Sequence, residues 1–250
     1  MADLLPYLLT FIIGVGASFM GALVGGGGLI TIPLLIALGL PPINAIATDR
    51  LAALGIMLGA YPQYRKSNHI DWALGWQLFA IAIVGSALGA FILIALPKEL
   101  LQPIIGLLML LFLPIIFLKS EIGLVRKVPS PLRKAAGYIS WFFMTIFGGS
   151  FGGGTGAIAL YIGIFFFRLT MLQTLATRVI PFLGMILVSL AIFLYNGFVH
   201  FDFGIILLLG SIFGAYLGAH TALRKGNQWL KLVFAIVVVL LAAKLLISSL

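Results

Sequence analysis

The stretch Gly25-Gly26-Gly27-Gly28-Leu29-Ile30-Thr31-Ile32-Pro33-Leu34-Leu35 lies in a run without Asp, Glu, Lys or Arg that extends from residue 4 to residue 48. Four consecutive glycines are poor helix, each worse than alanine by ~1 kcal/mol. They free the chain to unwind and leave its backbone bare. A second break, Gly152-Gly153-Gly154-Thr155-Gly156, interrupts the uncharged run 135–167. At membrane depth, non-helical backbone is tolerated only where protein buries it or where it lines a cavity. Two broken segments at corresponding places in two halves of a membrane chain point to a transport site.

Composition agrees with a membrane setting. Hydrophobic residues make up 62% of the 250 and charged residues 8%, against about 25% charged in soluble domains. Mean hydropathy is +1.23. Further uncharged runs cover 72–97, 100–118 and 179–201, each near the ~20 residues that span a bilayer. No basic segment or cleavage site precedes the first run, so no removable signal peptide is expected. Cysteine is absent, which excludes disulfides and thiolate chemistry. The net charge of +9 belongs mostly to loops, where it orients the chain rather than naming a ligand, and no nucleic-acid partner is implied.

The chain overlays on itself at a shift near 129 residues. Ala47-Thr48 falls on Ala176-Thr177, and Gly85-Ser86-Ala87-Leu88-Gly89-Ala90 on Gly214-Ala215-Tyr216-Leu217-Gly218-Ala219. His69-Ile70-Asp71-Trp72 matches His200-Phe201-Asp202-Phe203 at 131, and the glycine runs match at 127. The expected fold is an all-α polytopic membrane protein of two homologous repeats, each a glycine-broken helical hairpin followed by three spans. The repeats are 1–118 and 134–250, joined by a cytoplasmic linker, 119–133. The expected segments are 5–24 with 28–39, then 43–64, 72–96 and 99–118. In the second repeat they are 134–150 with 156–167, then 171–196, 203–223 and 228–248. The pieces after the glycines, at 1.5 Å per residue, are too short to cross ~30 Å of hydrocarbon.

Lys119, Arg126, Lys127, Arg133 and Lys134 place the linker in the cytoplasm. If the second broken segment enters and returns, Arg168 and the Arg224-Lys225-Lys231 cluster also lie inside. The Asn196–Phe201 loop, without Lys or Arg, then lies outside. That arrangement inverts the repeats and puts both termini outside. Trp72, Trp76, Trp141 and Trp229 near span ends suit interfacial anchoring against lipid.

The residues around the breaks resemble the TauE/SafE family of sulfite exporter-like transporters. The likeness rests on Gly25 to Leu35 as quoted, Leu40-Pro41-Pro42, Ala45-Ile46-Ala47-Thr48, the His69-Ile70-Asp71-Trp72 loop and their second-half repeats. The resemblance implies movement of small sulfur-containing anions, such as sulfite, thiosulfate or sulfonates, across a bacterial inner membrane. The chain departs from the family pattern at Asp49-Arg50, where a serine and an apolar residue are expected, and at Arg178 in the related place.

The residues also favour an anion by themselves. A helix start exposes about four unpaired N–H groups and a partial positive charge, and bare glycine lets an oxyanion approach. The candidate site is Gly26, Gly27, Gly28, Thr48, Asp49, Arg50, Gly153, Gly154, Thr155, Thr177 and Arg178. In one reading Arg50 or Arg178 neutralises the anion and Asp49 sets its pose or carries a proton, the possible coupling ion. In the other, Asp49 and an arginine form a structural ion pair. The glycines have their own structural alternative, close packing of helices. His69 with Asp71, and His200 with Asp202, read as a proton relay or, preferably, as helix caps supplied by the aspartates. Neither has the third ligand a zinc site needs. His220, late in a span, suits packing or the interface. No cofactor is implied, and no nucleotide-binding G-x-x-x-x-G-K-[ST] occurs. An anion channel using the same pocket is the alternative. A membrane enzyme would need a nucleophile–base pair or a metal constellation, and none is legible.

Overall fold

The computed structural model describes residues 4–97 and 123–248. Every regular element among them is helical: α1 (Leu5–Val24), α2 (Gly28–Ala37), α3 (Pro42–Lys66), α4 (Trp72–Ala95), α5 (Pro131–Ser150), α6 (Thr155–Phe165), α7 (Met171–Thr177), α8 (Val179–Tyr195) and α9 (Phe201–Ser248). The expected span 99–118 and the first residues of the linker lie outside the described residues. Among the described residues, five helical stretches are long and apolar enough to cross a bilayer: α1, α3, α4, α7 with α8, and Phe201–Leu230 of α9.

Element ends follow local chemistry. Pro42 and Pro131 sit at the first turns of α3 and α5, where a missing N–H costs nothing. Ser130 caps Arg133 N, which starts α5 three residues before the expected 134. Asp71 accepts from Leu74 N at 3.1 Å and caps α4, the role preferred for it. Its counterpart Asp202 lies inside the first turn of α9 and is exposed. The expected boundary between the last two spans appears as a break within α9 at Gly226 (φ 78°, ψ −177°).

At each glycine run the chain doubles back. Gly25 and Gly26 take φ of +83° and +101°, and Gly27 then lies against α1, where a Cβ would come within 3.0 Å of Ala17 O. In the second half Thr155 Cγ2 lies 3.1 Å from where a Cβ of Gly148 would be. The returning helices α2 and α6 have 10 and 11 residues, about 15 Å each.

The largest interfaces join the two halves. α1 and α3 both pack on α9, and α5 and α8 both pack on α4. Small residues set the approach. Gly210, Gly214 and Gly218 of α9 meet the backbone of Phe11, Val15 and Phe19 of α1. Gly85 and Gly89 of α4 meet Phe142 and Ile146 of α5. Residue numbers rise together in both interfaces, so α1 runs parallel to α9 and α5 parallel to α4. These contacts explain the Gly-x-x-x-Gly repeat noted in the sequence: in lipid, close backbone approach replaces the hydrophobic drive.

Two ends of the bundle are chemically distinct. One gathers the Arg65-Lys66 turn, residues 123–133 of the linker and the basic loops. There Arg126 pairs with Asp71 at 2.7 Å, Lys127 N donates to Arg168 O, and Leu172 N donates to Asn227. The other end joins the Gly39–Asn44 turn to the Asn196–His200 loop through Asn44 Nδ2 donating to Phe198 O at 3.0 Å. Tyr7 of α1 stacks near Phe203 at this second end. Trp72 and Trp76 are exposed and suit a lipid interface, whereas Trp141 is 1% exposed and fills the core beside Phe182. The anchoring expectation therefore fails for Trp141, because α5 buries that face against α4 and the apolar core around α8.

Candidate functional site

The two breaks meet at the centre of the bundle, backbone against backbone. A Cβ on Gly25 would lie 2.3 Å from Gly156 C, and one on Gly28 would lie 3.0 Å from Gly153 Cα. Only glycine permits this contact. Beside it is a cavity of about 50 Å³ lined by Gly25, Gly26, Gly27 and Gly28 from the first break and Gly152, Gly154, Thr155 and Gly156 from the second. Asp49, Arg50, Arg178, Ser18 and Thr31 add polar side chains, and Ile56, Met57, Phe182, Met185 and Ile186 form an apolar wall. At roughly 10–15 Å³ per water in this measure, the space holds about four waters. That matches a small ion and excludes a drug-sized ligand.

The carbonyls of Gly26, Gly27, Gly152 and Gly154 accept bonds from the turns that follow, but several N–H groups at the cavity do not find partners among the described residues. The N–H groups of Gly26 and Gly27, and of Gly153 and Gly154, find no acceptor among the described residues. Gly27, Gly153 and Gly154 are buried. Buried N–H groups are rarely left without a partner, and here they cluster at two helix starts that share one cavity.

The arginines sit on α3 and at the α7–α8 junction, 1% and 3% exposed. Each reaches across to the other half. Arg50 Nη1 donates to Gly148 O at 2.7 Å and Nη2 to Ser150 O at 3.1 Å, the last carbonyls of α5. Arg178 Nη2 donates to Gly21 O at 2.8 Å and Ala22 O at 3.4 Å, the last carbonyls of α1, while Nη1 donates to Gly156 O at 3.0 Å. A helix C-terminus leaves four carbonyls free and carries partial negative charge, so a guanidinium fork suits it. The threonines are reciprocal too. Thr48 Oγ1 accepts from His200 N at 3.0 Å and Thr177 Oγ1 from Asp71 N at 2.9 Å. These partners are related by the same shift of 129.

Asp49, 4% exposed, stands apart from this symmetry. It forms no salt bridge with either arginine; the described residues contain the Arg126–Asp71 pair instead. Its Oδ1 is hydrogen-bonded to Thr31 Oγ1, and Oδ2 lies 2.9 Å from where a side chain on Gly28 would begin. A carboxylate therefore faces the start of α2. At the start of α6 the neighbour is cationic: the Arg50 guanidinium lies against Gly152, with Nη1 2.4 Å from a Cβ placed there. Arg50 Nε, buried, has no acceptor among the described residues.

Of the sequence candidates, Gly26, Gly27, Gly28, Asp49, Arg50, Gly154, Thr155 and Arg178 line the cavity, and Gly153 packs behind it on Gly28. Thr48 and Thr177 are outside the lining and tie α3 and α7 to the loops at opposite ends. Thr31 was not singled out from the sequence. Its signal was available: it is the one polar side chain between Gly28 and Gly39.

Comparisons with known proteins give the chain a family. The family described as sulfite exporter TauE/SafE matches residues 10–245. A probable membrane transporter protein of Haemophilus influenzae is 28% identical over 97% of this chain and 94% of its own length. The probable membrane transporter protein YfcA of Escherichia coli K12 is 29% identical over 98% of this chain and 91% of its own. A similar protein of Sinorhizobium, ORF9, is 28% identical over 98% and 95%. No solved structure matches the chain. With its paired glycine breaks and, among the described residues, five bilayer-length apolar helices, this multi-pass membrane protein belongs to the TauE/SafE family of membrane transporters.

Proposed function

We propose that the chain is a secondary transporter of small sulfur-containing anions of the sulfite, thiosulfate or sulfonate type, working by alternating access around the cavity between the two glycine breaks. The observation that carries this reading is the cluster of unpaired glycine N–H groups beside Arg50 and Arg178 in a space of about 50 Å³. Oriented amides with a nearby cation bind an oxyanion. The volume admits a small one. The family's description as sulfite exporters adds sulfur chemistry to the class.

Alternating access requires two ways to the same site. Support comes from helix direction: α1 and α9 begin at the end of the bundle whose Gly39–Asn44 and Asn196–His200 loops carry no Lys or Arg, and α5 and α4 begin at the basic end. Repeats so placed are inverted, with 1–118 and 134–250 exchanging roles about the cavity. The basic end, including the linker 119–133, is assigned to the cytoplasm of a bacterial inner membrane by its Lys and Arg.

The test is uptake and binding with purified protein in liposomes against sulfite, thiosulfate, sulfoacetate, sulfate and chloride. Saturable transport of at least one sulfur anion is expected. Unsaturable chloride conduction would make the protein a channel, and no binding of any sulfur anion would end the reading.

A further inference from the structure

The cavity is electrically lopsided, although its backbone is nearly symmetric. Around the two arginines the halves read Thr48-Asp49-Arg50 and Thr177-Arg178. The threonines make equivalent bonds and the arginines make equivalent caps. No second-half residue answers Asp49. The first break thus faces a carboxyl group and the second a guanidinium.

Thr31 gives that carboxyl group a particular environment. Its hydroxyl is bonded to Asp49 Oδ1 and also lies 3.2 Å from Gly27 O. A hydroxyl has one proton and can both donate and accept. With Asp49 ionised, Thr31 donates to the carboxylate. With Asp49 protonated, the acid O–H donates to Thr31 Oγ1, and the threonine proton turns to Gly27 O. Asp49 Oδ1 and the Thr31 hydroxyl are satisfied in both states without movement of the backbone. A carboxylate held only for structure needs one state; this one is built for two.

On the reading that the cavity binds anions, we propose that the anion seats against Gly154, Thr155 and Arg50 at the second break, and that Asp49 at the first break takes up a proton as the anion binds. The remaining charged or titratable side chain in the lining is Arg178, already bonded to three carbonyls. α1, α2 and α8 contribute no charged group to the lining, and α9 contributes no residue to it. An ionised Asp49 repels an anion across a space only a few waters wide. Neutralising it removes that repulsion, so the two ligands favour each other reciprocally. Transport then carries about one proton with each anion, in the same direction.

Thiosulfate, which stays fully ionised across the neutral range, is the probe. Isothermal titration of the purified protein should show the dissociation constant falling as pH is lowered from about 8, by as much as tenfold per unit on the steep part of the curve. Titration in buffers of different ionisation enthalpy reads proton uptake directly on the unaltered protein, and about one proton per anion is expected there. Asp49→Asn, a neutral isostere, should bind more tightly than wild type at about pH 8 and lose the slope. Thr31→Val deprives the ionised form of its donor and should shift the curve to higher pH. Wild-type binding that ignores pH, or an Asp49→Asn protein that keeps the slope, would overturn the coupling while leaving the anion site intact. Failure of every sulfur anion to bind at any pH would instead overturn the transport reading on which the coupling rests.

Discussion

Arg178→Met tests whether the buried arginines act as caps or as ligands. Methionine keeps the bulk and loses the fork. In the wild type the fork makes two bonds of 2.8 and 3.0 Å and a longer one of 3.4 Å. A hydrogen bond from a charged donor contributes about 1.5–3 kcal/mol, so the two short ones sum to roughly 3–6 kcal/mol. Burying the cation offsets part of this. In the variant Gly21 O keeps its bond from Gly25 N and Ala22 O its bond from Tyr64 Oη, so the loss is that of the charged bonds alone, and the expected net is about 3–5 kcal/mol. For a chain of this size that corresponds to a Tm lower by roughly 10 °C. Fluorescence-monitored melting in detergent reads it, with Arg50→Met as the first-half counterpart. Arg178→Lys should recover part of the loss, since an ammonium is a point charge that matches fewer carbonyls. An Arg178→Met protein that melts within about 2 °C of wild type but binds thiosulfate poorly would refute the capping argument and give the guanidinium to the anion.

Gly25→Ala should destabilise by at least ~3 kcal/mol, from a glycine-only backbone conformation and a clash with Gly156, whereas Gly16→Ala, with open space around it, should stabilise α1 by up to ~1 kcal/mol in the same melt. Because the chain has no cysteine, Asn68→Cys and Asn196→Cys can be labelled singly in intact cells; Asn196→Cys should react from outside and Asn68→Cys only after permeabilisation, and the reverse would refute the assigned orientation. Asp71→Ala should cost ~1 kcal/mol through the lost α4 cap, while Arg126→Ala, the exposed partner of the same pair, should cost less than ~1 kcal/mol; equal losses would transfer the effect from cap to ion pair.

The helices and both breaks were legible because they depend on local chemistry. Uncharged length gives the spans, and consecutive glycines give the interruptions. The break at Gly226 falls between the spans expected at 203–223 and 228–248, and Gly85 and Gly214, which the internal overlay pairs, each meet the backbone of a neighbouring helix. What the sequence did not show depends on one residue of register. A uniform shift sets Asp49 opposite Arg178 and suggests an ion pair. The structure divides α7 from α8 at Arg178, which leaves Asp49 without a counterpart and makes Arg50 and Arg178 equivalent. Nothing in the chain's order announces that each arginine ends a helix more than 90 residues away. Trp141 was misread because a tryptophan near a span end looks the same facing lipid or facing a neighbouring helix.

The reciprocal caps have a consequence for biosynthesis. The carbonyls that end α1 leave the ribosome some 150 residues ahead of the arginine that covers them. Until Arg178 arrives, those carbonyls have only the bonds that Gly25 N and Tyr64 Oη supply from within the first half, and the partial negative charge of that terminus waits for its cation. The second half in turn closes only on the waiting Arg50. Maturation is therefore a single late event rather than two early ones. Halves expressed as separate polypeptides should each be degraded alone and survive when made together.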